Sequence, residues 1–405
     1  MKLFHGWRMA IAGGSIQFLQ AGLLQQAFGA YVAVLTEERG WSKTALSGAA
    51  AMQSMEAAIL GPLLGWIIDR FGSQGMIRTG VITLGAGFML LSQIDSLAGF
   101  YGAFIVIAVG SSMCGFFPIN VALIHWFEKQ RARALSSLSL GLALGGIFVP
   151  VVAWSMQSFG WRATAFSSGV IIMLVGWPLT HVFRHRTPRA VGETLDGLPA
   201  TAHAPEAPAA VTQREFSARE ALRTRSFWLL SLGHGFALLV VMAVNVHAIT
   251  QIKESLGYSL AQASLVMTLV TLSQVGGVLL GWGFGDRFEK RYISAVCMLM
   301  HSAGLLLLTY ATGPAMLVAF AILHGVAWGL RGPLMQAIRA DYFGRQSIGM
   351  ILGLSSLIVV IGQAGGPLIA GAFADYYGNY TTGFTVLAAM AGVGSLFFLL
   401  ATRPD

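Results

Sequence analysis

Long apolar runs recur along the whole chain, separated by short charged or turn-rich breaks, and this pattern constrains the fold more than any motif does. The run from Leu387 to Ala401, for example, is interrupted only by Ser395 and two glycines. About 20 apolar residues cross a bilayer as a helix that satisfies its own backbone, whereas a barrel strand alternates polar and apolar residues over about 10 positions. The runs therefore predict an all-α membrane protein. Of 405 residues, 55% are hydrophobic and 10% charged. Soluble domains carry roughly 25% charged residues, so a water-soluble fold of this length could not hide so much apolar surface.

Six spans are expected near residues 8–35, 44–68, 76–94, 98–126, 134–158 and 163–183. Six more follow near 227–252, 260–284, 292–311, 314–338, 347–374 and 382–401. With the N-terminus inside, 20 of the 25 Lys and Arg residues face the cytoplasm. Arg39, Lys43, Arg162 and Lys253 fall outside, and Arg331 lies within a span. The positive-inside rule then predicts cytoplasmic N- and C-termini. The short start, Met1 to Arg8, has no small-residue cleavage site after it and reads as the approach to a first span, so a bacterial inner membrane is the expected location. The net charge of +8 and pI near 9.8 are spread between apolar runs and form no nucleic-acid arm. Cys114 and Cys297 sit inside apolar runs and indicate neither a disulfide framework nor a metal cluster.

Between the sixth and seventh spans lies residues 187–225, rich in Ala and Pro through Gly197 to Ala210, which reads as a cytoplasmic linker with disordered character. Ser217 and Glu220 have capping-box spacing and predict a short surface helix. The expected domains are thus residues 1–186, a six-helix bundle; 187–225, the linker; and 226–405, a second bundle. The halves resemble each other: Leu64-Gly65-Trp66 recurs as Leu280-Gly281-Trp282, Asp69-Arg70-Phe71 as Asp286-Arg287-Phe288, and Trp126-Phe127 as Tyr342-Phe343, at offsets of 216 or 217 residues. A parallel repeat of six spans predicts a pseudo-symmetric transporter with its site near the bilayer midplane.

These residues carry a family resemblance over essentially the whole chain. Gly65-Trp-Ile-Ile-Asp69-Arg70-Phe-Gly72 resembles the loop between the second and third spans of the major facilitator superfamily. That resemblance implies a conformational latch at Gly65, Asp69 and Arg70, with Asp286 and Arg287 as its second copy. Gly6-Trp7, Gly40-Trp41-Ser42, Trp126 to Ala134 ahead of Gly141, Gly145 and Gly146, and Phe216-Ser217 through Phe227-Trp228 resemble the monocarboxylate and oxalate/formate porter branch. Carriers of that branch commonly place a basic residue in span one, eight or eleven to meet a carboxylate. This chain has Gln25 and Gln26, Gln274, and Gln363 there instead. Either its anion is met from another helix, or its substrate is not a simple monocarboxylate.

The cation that remains is Arg331, roughly 15 Å from the cytoplasmic end of span ten at 1.5 Å per residue. An Arg at that depth costs ~3 kcal/mol or more unless it meets water or a partner. His324, Trp328 and Arg331, at i, i+4 and i+7, share a helix face. Arg can hold a carboxylate, Trp can cover an apolar moiety, and His can donate a hydrogen bond or take a proton; the alternative is a purely structural Arg331. Glu56 in span two lies roughly 20 Å from the cytoplasmic end. It is a candidate for proton coupling or for one half of a structural pair. His234 is a second proton-coupling candidate, and Asn245, Asn120, Gln25, Gln26 and Gln363 are candidate substrate ligands. Gln17 and Gln20 share a face in span one, and amides at that density require at least one pair to point inward.

The expected function is secondary transport of a small organic anion, a monocarboxylate, by a monomeric carrier with proton symport and no cofactor or metal. Anion antiport and efflux of amphiphilic or neutral compounds are the alternatives within the fold, and a membrane sensor is the alternative outside transport. The chain carries no phosphate-cradling Gly-x-x-x-x-Gly-Lys-Ser/Thr, no His-Glu-x-x-His and no Gly-x-Ser-x-Gly, which leaves enzymatic readings without a motif.

Overall fold

Gly40, Gly160 and Gly257 mark where the chain reverses between apolar helices, each at a positive φ that a side chain would strain. The computed structural model describes residues 3–197 and 214–404, and its regular elements there are helices without strands. The chain divides into two compact units. The first is Met1–Gln213 with Ser347–Gly353, and the second is Arg214–Gln346 with Leu354–Asp405.

In the first unit, α1 runs over His5–Arg39 through a π-helical turn at Ala21–Gln25. Helix α2, Lys43–Phe71, begins where the Ser42 hydroxyl accepts the Ala45 N–H. Then come α3, Ser73–Leu91, and α4, Leu97–Ile124, the latter broken at an extended Gly115. A single helical run over Arg131–Arg184 is turned at Gly160 (φ 80, ψ 156). We therefore treat residues 131–159 as α5 and 161–180 as α6. The second unit holds α7 (Arg225–Leu256), α8 (Leu260–Phe284), α9 (Lys290–Thr309), α10 (Pro314–Phe343), the body of α11 (Ile348–Tyr377) and α12 (Thr381–Leu400). Ten runs are long and apolar enough to cross a membrane; dividing one at Gly160 and adding α2 gives twelve among the described residues. That is the fold expected from the hydropathy pattern. The fourth span is shorter than expected, because α4 ends at Ile124 and Trp126 lies beyond it.

Helix approach is set by glycine. A Cβ on Gly329 of α10 would overlap the Gln274 carbonyl of α8, and Cβ atoms on Gly325 and Gly277 would overlap the carbonyls of Val270 and Val326. Thus α8 and α10 meet backbone to backbone, a contact that supplies dispersion energy where lipid removes the hydrophobic drive. Outward, large apolar side chains such as Ile59, Leu174, Leu265, Ile361 and Leu368 are two-thirds or more exposed, a surface suited to lipid.

Carboxylates close several helix N-termini, whose first N–H groups have no partner within the helix. Buried Asp196 accepts the N–H groups of Glu128, Lys129 and Gln130 at 3.1, 2.9 and 3.0 Å, just ahead of α5. In the second unit Glu215 accepts those of Arg345 and Gln346 at 2.6 and 2.8 Å. Lys129 and Gln130 are 216 residues before Arg345 and Gln346, so one repeat offset relates the two clamps. Both carboxylates belong to the sequence linker, whose start also forms 3-10 turns at Pro188–Val191 and Leu195–Gly197. From residue 198 to 213 the Ala/Pro-rich stretch lies outside the described residues. Past it, Ser217 and Glu220 close a capping box on the short helix Ala218–Arg223, and the Ser217 hydroxyl holds the Glu220 carboxyl below its ordinary value.

Asp196→Ala removes the acceptor for three N–H groups, and a hydrogen bond to a charged group is worth roughly 1.5–3 kcal/mol. We expect a lower thermal midpoint in detergent than for Asp196→Asn, which keeps one acceptor oxygen. Equal midpoints for both variants and the parent would remove Asp196 from the list of stabilising clamps.

Candidate functional site

Each unit carries a polar cluster in its interior. In the first, α4 breaks at Gly115, which leaves the Ser111 carbonyl without its helical donor. The Gln20 amide of α1 donates to that carbonyl at 3.0 Å and to the Ser111 hydroxyl at 2.6 Å, while Gln53 of α2 reaches the same hydroxyl at 3.5 Å. Next to it, the Ser112 hydroxyl donates to Glu56 Oε2 at 2.9 Å. Glu56 Oε1 is buried and makes no hydrogen bond. One oxygen is therefore held and the other is open to a proton or a donor.

The glutamines of α1 separate by burial. Gln17 and Gln20 are buried, while Gln25, in the π turn, and Gln26, against Gly146, are exposed. Both amide atoms of Gln17 and of Asn120 are buried without a hydrogen bond.

In the second unit the cluster is cationic. Arg331 and Arg339 of α10 are each 1% exposed, and no ion pair among the described residues includes either. Arg339 meets neutral oxygens through Nη1 and Nη2, Met335 O at 2.6 Å, Ser355 Oγ at 2.8 Å and Leu230 O at 3.3 Å, while its Nε is buried without a hydrogen bond. Its Nη2 also lies 3.4 Å from His234 Nδ1. Helix α10 runs on to Phe343, so Arg339 lies within the helix and takes carbonyls of α10 and α7.

Arg331 differs. Its Nε and Nη1 are buried and find no hydrogen-bond partner. Its charge acts on His234, His301, His324, Cys297 and Arg339, which places these groups around it. His324 is fully buried, and its Nδ1 lies 3.2 Å from Nδ1 of His301 on α9. Trp328 is half-buried on the same α10 face. Asn245 is exposed and Gln363 half-buried. His301 and Arg339 escape sequence reasoning, because a lone His in an apolar run and an Arg near a helix end carry no pattern of their own.

Expected latch residues also have definite places. Asp69 accepts Gly349 N–H on Oδ1 at 2.9 Å and Met350 N–H on Oδ2 at 2.8 Å, and its carbonyl accepts Arg186 Nη2 at 2.6 Å. Ser347–Gly353, which begins α11, clusters with the first unit, and a Cβ on Gly65 would overlap the Gly349 carbonyl. A carboxylate at a helix N-terminus meets both free N–H groups and the positive end of the macrodipole. Arg70 lies over the rings of Trp66 and Phe71 at 5.5 and 5.6 Å. In the second copy, Asp286 and Asp341 share Lys290 at 3.8 and 2.9 Å, and Arg287 lies over the Phe284 ring at 5.3 Å. Among the described residues no three His, Cys, Asp or Glu side chains form a metal-holding group, and both cysteines are buried and free.

The family model of the Major Facilitator Superfamily matches residues 14–247 and 230–405. An oxalate:formate antiporter of Oxalobacter formigenes is 23% identical, over 79% of this chain and 74% of its own length. Monocarboxylate transporter 13 of Rattus norvegicus is 25% identical, over 97% of this chain and 89% of its own. Among solved structures, the E. coli fucose:proton symporter FucP superposes with a TM-score of 0.70 at 16% identity, covering 99% of this chain and 98% of that one, a likeness of fold.

Proposed function

Because this chain belongs to the major facilitator superfamily, a family of membrane transporters and not of enzymes, we propose that it carries a small organic anion across the bacterial inner membrane, bound at Arg331. The observation that carries this reading is a buried guanidinium with two N–H-bearing nitrogens unpaired. A buried charge without a partner is strongly unfavourable, and an incoming carboxylate supplies both the opposite charge and the acceptors. Arg339, equally buried, has neutral oxygens on both terminal nitrogens and lacks a partner only at Nε, whereas Arg331 lacks one at Nε and at Nη1. Trp328 and His324 complete the stripe, the indole against the apolar part of the substrate and the imidazole as a hydrogen-bonding group. The named substrates of the similar proteins, oxalate, formate and monocarboxylates, are anions of this class.

Coupling is to protons in this reading, with inward symport. Glu56, with one oxygen bonded to Ser112 and one open, is the candidate carrier in the first unit, whereas His234 lies beside the Arg339 cation. Antiport of two anions is the second reading, favoured by the similarity to an oxalate:formate antiporter. Asp69, Gly65 and Arg70 act as the latch: the carboxylate holds the first turn of α11 in one access state, with Asp286 and Arg287 as the weaker copy. The carrier works as a monomer with cytoplasmic termini.

Labelled mono- and dicarboxylates offered to proteoliposomes test the assignment. Arg331→Gln is expected to lower uptake roughly ten- to 100-fold, the loss of about 1.5–3 kcal/mol of charge-assisted bonding; unchanged uptake would remove Arg331 from the site. A protonophore should abolish accumulation, while gradient-independent exchange would favour antiport. Uptake of neutral solutes alone would end the anion reading. For the latch, Asp69→Asn keeps one acceptor but turns an NH2 toward an N–H, so transport should fall severalfold with anion binding retained. Normal transport by that variant would show that the Asp69 contact does not gate the cycle.

A further inference from the structure

We propose that the His301–His324 pair seats the proton that travels with the anion, and that anion binding at Arg331 is what makes this seat favourable. The proposal rests on the anion reading of Arg331 and adds a site that sequence reasoning did not find. The two imidazoles are completely buried, with ring centroids 4.7 Å apart and planes at 68°. Their Nδ1 atoms are 3.2 Å apart, so one ring donates its Nδ1–H and the other accepts. In the neutral pair the donor ring has a bare Nε2, because a neutral imidazole carries a single N–H. The acceptor ring must then carry its hydrogen on Nε2. Neither Nε2 has a hydrogen-bond partner in the protein. A further proton can therefore enter on the bare Nε2 without breaking the Nδ1–H···Nδ1 bond, and the imidazolium formed keeps its donor role.

Charge decides when this happens. The charge that acts on the pair is that of Arg331, seven residues beyond His324 on α10, and the same guanidinium acts on Cys297 of α9 and His234 of α7. Helices α8 and α12 contribute no titratable side chain along Leu260–Phe284 and Thr381–Leu400. Arg331 acts on the pair and no carboxylate among the described residues does, so an imidazolium beside an unoccupied Arg331 adds like charge to an apolar interior. A carboxylate on Arg331 cancels that charge and brings a negative group near the pair. Proton and anion thereby raise each other's affinity by the same factor. The populated states are the empty one and the doubly loaded one, which is the occupancy rule of a symporter.

The test is calorimetric titration of the purified, full-length protein with sodium formate and with sodium lactate, in buffers of different ionisation enthalpy. On the order of one proton should be taken up per anion bound, with affinity rising up to about tenfold per unit fall in pH. His301→Gln should abolish proton uptake and flatten the pH dependence. Difference infrared spectra of the unaltered protein supply a measurement independent of variant folding: an imidazolium band should appear on adding the anion and be absent before it. Anion binding without proton uptake, or proton uptake kept in His301→Gln, overturns the proposal and leaves the anion site standing. Failure of both anions to bind overturns the Arg331 reading and the proposal with it.

Discussion

Two guanidinium groups buried in one helix, with no carboxylate to meet them, form the constraint on which the second unit depends. Continuum reasoning makes an isolated buried charge costly by several kcal/mol even after relaxation, so each arginine must be compensated by something. Arg339 shows one solution: two main-chain carbonyls and a hydroxyl converge on it, and Ser231 in turn bonds Ser355 at 2.9 Å. That arrangement fixes α10 to α7 and α11 without requiring a ligand. Arg331, two turns earlier, lacks the same set of oxygens. The contrast is one of degree: Arg339 has partners on both terminal nitrogens and Arg331 lacks them at Nε and Nη1, which is the difference on which the proposed anion site rests.

A different constraint recurs at the helix ends. Backbone N–H groups at an N-terminus cannot bond within their own helix, and this chain meets them with carboxylates at Asp69, Asp196 and Glu215. The solution has two uses. Asp196 and Glu215 lie on segments of the linker and pin its ends, one to each unit, at positions related by the 216-residue repeat. Asp69 sits in the family motif and grips the first turn of α11, a contact whose energy is the right kind to be made in one state and lost in another, since it consists of two hydrogen bonds and a dipole term rather than a packed core.

Much of this was legible in the sequence because it is written in periodic terms. Apolar runs declare helices, the offset between Leu64-Gly65-Trp66 and Leu280-Gly281-Trp282 declares the repeat, and the i, i+4, i+7 spacing places His324, Trp328 and Arg331 on one face. What was not legible depends on partners far apart in the chain. His301 acquires meaning only from His324 across a helix pair, and Arg339 only from Leu230 and Ser355. Asp196 looks like an ordinary linker acid until its three N–H donors, 66 to 68 residues earlier, are in view. Burial distinguishes the four glutamines of α1, which their spacing alone could not.

Spans one, eight and eleven carry glutamines where the resemblance leads one to expect cations, and the second unit holds its buried guanidinium groups on α10. Span eight carries Gln274 in place of a basic residue, and the carbonyl of that same residue lies where a Cβ on Gly329 would be. With α8 and α10 in backbone contact at this level, the side chain two residues beyond Gly329 emerges on the neighbouring helix at nearly the same depth. That side chain is Arg331. Two residues turn the helix by about 200°, so this guanidinium leaves α10 on the side away from the α8 contact, on the face it shares with the imidazole of His324. Under the anion reading, a carboxylate that neutralises Arg331 acts beside His301 and His324, the pair we propose as the proton seat.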